Sequence, residues 1–142
     1  MDARIVVGWS CTVIGAAVLA TSAWSFAALA RMRGAGPVRP RFGGRDAFLL
    51  LAWGGVLAGG VGLLAGRAWS RWALTAGVLG VVAWALFSAA VRIHVTYTMD
   101  EVVPVNRRAA VVGNLGPALA VAALAAWLLR WLHGPALEAA LR

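Results

Sequence analysis

Four long stretches of this chain carry no Asp, Glu, Lys, Arg or His: residues 5–30, 47–66, 72–91 and 109–129. Arginines mark the breaks between them. Each stretch has about the ~20 residues that a helix needs to cross ~30 Å of hydrocarbon. A charge at mid-bilayer costs at least ~2.5 kcal/mol on insertion scales, so uninterrupted apolar runs are what a spanning segment requires. The expected fold is an all-α integral membrane protein. Its four transmembrane helices, at about 5–30, 47–66, 72–91 and 109–132, pack as one small bundle and a single membrane domain over residues 1–142.

Composition supports that reading. Hydrophobic residues make up 62% of the chain, against ~45–50% in soluble domains even with Gly included. A water-soluble bundle would need a polar face on each helix, and these segments have none. The first stretch is longer than the ~7–15 apolar residues of a signal peptide and runs into Arg31 and Arg33, so it reads as an uncleaved helix.

All 13 basic residues are arginine, and the formal net charge is +8. They sit at helix ends and in loops, which points to anionic lipid headgroups and not to nucleic acid. The loop at 31–46 holds Arg31, Arg33, Arg39, Arg41 and Arg45 among Gly and Pro. With Arg92, Arg107 and Arg108 it places eight arginines on one side and five on the other. The positive-inside rule then puts both termini on the non-cytoplasmic side. The Arg-only, Ala- and Gly-rich usage suggests a bacterial chain, and the expected location is the inner membrane.

The second helix carries the sharpest packing signal. Gly55, Gly59, Gly62 and Gly66 recur at steps of four, three and four. Small-xxx-small repeats of this type let helix backbones approach closely where lipid supplies no hydrophobic force between helices. Ala73, Gly77 and Gly80 form a matching face on the third helix. Weaker alanine stripes occur on the first helix (Ala16, Ala20, Ala23, Ala27) and the fourth (Ala118, Ala122, Ala125). Of eight tryptophans, most lie near helix ends, where headgroups favour amphipathic rings. Trp53 and Trp84 sit deeper, and an indole N–H there wants an acceptor.

Between the third and fourth helices, Ile93, Val95, Tyr97 and Met99 alternate with His94, Thr96, Thr98 and Asp100. That period-two pattern predicts one short extended segment on the membrane surface, able to contact another chain. Pro117 suits the first turn of a fourth helix starting near Gly116; a kinked helix starting at Ala109 is the alternative.

Chemistry is sparse. The lone Cys11 reads as a packing residue, and no catalytic, cofactor or metal motif appears, so neither enzymatic residues nor a cofactor is expected. His94 and His133 follow antiparallel helices, so one haem cannot bridge them. The expected function is a small accessory or structural subunit of a multi-subunit membrane complex, respiratory or photosynthetic, with lipids and other membrane subunits as partners. A homo-oligomeric solute- or lipid-handling protein is the second reading, and a haem- or quinone-binding electron carrier the third. Trp84, Ile93, Val95, Tyr97 and Met99, with the five arginines of the 31–46 loop, are the expected partner or lipid contacts.

Overall fold

The computed structural model describes residues 3–31, 43–98, 107–135 and 137. Four helices account for nearly all of them: α1 (Ala3–Arg31), α2 (Gly44–Leu64), α3 (Ser70–Thr98) and α4 (Arg107–Leu132). All four are long and apolar enough to cross a membrane. At ~1.5 Å per residue, even α2, the shortest with 21 residues, spans about 31 Å, the thickness of the hydrocarbon layer.

Close packing runs between neighbours in sequence: α1 on α2, α2 on α3 and α3 on α4. α2 lies deepest, with 33% of its most apolar window buried against 11% for α4. The core joins Cys11 of α1, Val56 and Leu63 of α2, Leu74 and Val78 of α3, and Ala125 and Leu132 of α4, with Leu137 beyond the last helix.

α2 begins at Gly43, whose N–H donates to the Asp46 carboxylate at 3.0 Å. Glycine has no side chain to return the bond, so this is half of a capping box. The carboxylate in the first turn also faces the positive end of the helix dipole. The other end is closed by a Schellman motif. Arg67 N–H donates to Gly62 O at 2.9 Å and Gly66 N–H to Leu63 O at 3.1 Å. That motif needs a left-handed residue, and Gly66 supplies it with φ +67°. Ser70, fully buried, then opens α3 with its hydroxyl donating to Arg67 O.

Three sequence expectations change. First, Ile93–Thr98 is not extended; it continues α3 as helix. Arg71 and Arg92 lie about 32 Å apart along α3 at ~1.5 Å per residue, which matches the hydrocarbon thickness. The helix therefore runs on past the apolar layer. Thr96 and Thr98 hydroxyls bond back to Arg92 O at 2.8 Å and Val95 O at 3.0 Å, so β-branched polar residues fit there without a strand partner. Met99 lies outside the described residues. Second, Gly66 belongs to the turn, so the α2 glycine stripe ends at Gly62.

Third, α4 starts at Arg107 and passes through Pro117. Proline removes the N–H that Gly113 O would receive and costs roughly 3 kcal/mol inside a helix. Ending the helix there would leave several backbone groups unpaired in hydrocarbon, each costing several kcal/mol. Continuing is cheaper. Asn114 Nδ2 donates to Ala110 O at 2.7 Å, so its amide is held one turn back.

Candidate functional site

The α2–α3 contact is backbone on backbone. A Cβ placed on Gly77 would stand 2.6 Å from Val56 N and 2.7 Å from Ala52 O. One on Gly59 would stand 2.7 Å from Leu74 N, and one on Gly62 2.7 Å from Ser70 Cβ. A Cβ on Gly55 would stand 3.1 Å from Gly77 Cα and 3.2 Å from Ala73 O, and one on Gly80 2.9 Å from Ala52 Cβ. The structure thus brings Gly55, Gly59, Gly62, Ala73, Gly77 and Gly80 onto one seam.

A second seam, between α1 and α2, does not follow from the alanine stripe of α1. Ala16, Ala20, Ala23 and Ala27 are all exposed. The contact uses Gly8, Cys11 and Gly15 against Gly60, Leu57 and Leu64. A Cβ on Gly60 would meet Thr12 Oγ1 at 2.7 Å and Cys11 Cβ at 3.0 Å, and one on Gly15 would meet Leu57 Cβ at 3.0 Å. The sequence signal was the pair Gly59-Gly60. Adjacent residues on a helix point about 100° apart, so a glycine pair can serve two neighbours at one level. On α4, Ala118 and Ala125 are buried.

Hydroxyls within the spans are satisfied locally. Thr12 donates to Gly8 O at 2.7 Å, Ser22 to Val18 O at 2.8 Å, Ser25 to Thr21 O at 2.8 Å and Thr75 to Arg71 O at 2.7 Å. Such back-bonding needs no partner helix. His133 packs against the start of α3, 3.1 Å from Thr75 Oγ1 and edge-on to Trp72 at 5.5 Å. His94 sits about 28 Å further along that helix at ~1.5 Å per residue, so the two imidazoles serve opposite ends of the bundle.

On the side of the bundle bearing Arg31 and Arg45, α2 and α3 present an aromatic patch. Trp84 is half-buried between Phe48, at 6.4 Å between ring centroids, and Phe87, at 6.0 Å. The Arg45 guanidinium stands 5.8 Å from the Phe87 ring centroid. Phe48 and Phe87 stay 43% and 47% exposed. Arg31 ends α1 and is exposed. On the last turns of α3, Val95 and Tyr97 are exposed and Ile93 is half-buried. Arg33, Arg39 and Arg41 lie outside the described residues.

Two cavities lie along α3 and α4. A cleft of about 280 Å³ is lined by Trp84, Ser88, Arg92, Asn114, Pro117 and Val121, among others. A crevice of about 290 Å³ draws on all four helices, including Cys11, Trp53, Val78, Val82, Val121 and Leu128. The second is almost wholly apolar in its lining residues. Sequence periodicity did not reveal either: the cleft depends on how α3 and α4 sit together, and the crevice on the placement of all four helices.

No protein-family model matches the chain, and comparison with curated proteins and with solved structures returns no similar protein. The molecule is a bundle of four apolar helices, each long enough to cross a membrane.

Proposed function

We propose that this protein is a small accessory or structural subunit of a multi-subunit membrane complex, docked through the aromatic patch of α2 and α3. The observation that carries the reading is the grouping of Trp84, Phe48 and Phe87 beneath Arg45. Lipid-facing surface needs only apolar atoms. Clustered aromatics with an arginine are instead the composition of interface hot spots. Ring pairs contribute about 0.5–1.5 kcal/mol beyond area burial, and more rings from a partner would extend the cluster. The helical end of α3 supports the same reading, since Val95 and Tyr97 are offered beyond the hydrocarbon on the same side of the bundle. A bacterial inner-membrane complex of the respiratory or photosynthetic type, with the termini of this chain outside the cytoplasm, is the setting we favour.

Photo-cross-linking from positions 87 and 97 in native membranes tests the proposal. A discrete adduct to one other polypeptide is expected, and Phe48→Ala with Trp84→Ala should reduce it. Adducts to copies of this chain alone, or to lipid alone, would overturn the subunit reading.

A further inference from the structure

We propose that the α3–α4 cleft and the four-helix crevice form one continuous binding site for an anionic phospholipid. Its phosphate sits at Arg92, its glycerol ester region at Ser88 and Asn114, and one acyl chain lies in the crevice.

The continuity is read along both helices. On α3 the cleft is lined by Arg92, Ser88 and Trp84, and the crevice continues with Val82, Val81 and Val78. On α4 the order is Gly113, Asn114 and Pro117, then Leu124 and Leu128, and Val121 lines both cavities. The path from Arg92 to Val78 covers about 21 Å at ~1.5 Å per residue. A lipid chain of one leaflet covers about half of ~30 Å, so it fits within that length.

The chemistry changes with depth as that of a phospholipid does. Arg92 stands at the hydrocarbon boundary of α3, where phosphates lie, and its fork of donors matches a phosphate in two-pronged fashion. It makes no ion pair among the described residues. Ser88 is one turn deeper, about 6 Å, at the level of the ester carbonyls. Asn114 uses one amide N–H on Ala110 O and keeps a second for a ligand acceptor. Gly113, which lines the cleft, leaves room here, since a Cβ on it would meet nothing within 4 Å. Below this level the lining is mostly valine, leucine and alanine, with Cys11, Ile14 and Trp53. Exposed Ile14 and Leu124, 52% and 65% accessible, flank the crevice on α1 and α4, the two helices that do not pack closely on each other. An acyl chain is the occupant that fills such a gap inside a bilayer.

The test is native mass spectrometry of the full chain in detergent, titrated with phosphatidylglycerol or phosphatidylcholine of the same chains. Wild type should retain one phosphatidylglycerol about tenfold more tightly than phosphatidylcholine. Arg92→Gln should bring that ratio close to one, Arg92→Lys should keep part of it, and Arg45→Gln, on the same side of the bundle, should leave it unchanged. Val121→Trp, at an exposed position where the cavities meet, should weaken both lipids alike. An unchanged ratio in Arg92→Gln would overturn the site. So would an equal loss in Arg45→Gln, which would show a diffuse basic surface, or displacement of the lipid by glycerophosphate lacking chains. Thermal unfolding of the lipid-free variants separates loss of binding from loss of fold.

Discussion

Gly77 offers the sharpest test of how α2 and α3 are held together. In Gly77→Ala the new methyl would stand 2.6 Å from Val56 N, 2.7 Å from Ala52 O and 2.9 Å from Gly55 C. All three are backbone atoms, so no rotamer change relieves them. Ordinary van der Waals contact begins at 3.4 Å, and the helices must separate by about 0.8 Å. A gap of that size forfeits roughly a quarter to a half of each contact along the seam. Overpacking of this kind costs about 1–3 kcal/mol, and three backbone clashes place it toward the upper end. Gly54 is the internal control, because a Cβ there meets nothing within 4 Å. Both substitutions gain about 0.5–1 kcal/mol of helix propensity, so their difference isolates the steric term. We expect Gly77→Ala to be less stable than Gly54→Ala by about 2–3 kcal/mol, roughly 30- to 150-fold in the unfolding constant. Steric trapping in bicelles of fixed composition measures this. Equal stabilities within ~0.5 kcal/mol would refute the argument that backbone contact at glycine holds the seam.

Two further outcomes follow from the turn and the charges. Gly66→Ala places a Cβ at φ +67° in the cap of α2 and should destabilise the hairpin by about 1–2 kcal/mol in the same assay, although its nearest neighbour, Arg4 Nη1 at 3.4 Å, leaves room; an unchanged stability would remove the left-handed requirement. With Cys11 replaced, cysteines at positions 39 and 69 should be labelled from opposite sides of the membrane, 69 from outside in intact cells; external labelling of 39 would invert the orientation.

The four spans were legible because hydrocarbon tolerates no charge, and that rule acts residue by residue. Helix ends were less legible, because a helix does not stop where the hydrocarbon does. Residues 93–98 alternate as a strand would, yet a helix already underway extends at the cost of one residue's ordering for each bond gained, whereas a lone strand has nothing to pair with. The seam of Gly55, Gly59 and Gly62 could be read because glycine is the only residue that permits that approach. The weaker alanine stripe of α1 carries little information, because alanine suits lipid and a neighbouring helix equally; Gly8, Gly15 and Gly60 make the closer contacts. The cleft and crevice could not be read, since they arise from the spacing of whole helices.

The overrun of α3 has a mechanical consequence. Its 29 residues form one uninterrupted rod, anchored in the membrane by the glycine seam and rising beyond Arg92 as far as Thr98. A flexible tether would absorb a push at Tyr97, but a rod transmits it. Whatever grips that end can tilt or rotate α3 and, through Gly77, carry α2 along as a single body. Arg92 and Trp84 lie on the same shaft, so an event in the aqueous phase would reach the walls of the α3–α4 cleft without any loop having to relay it.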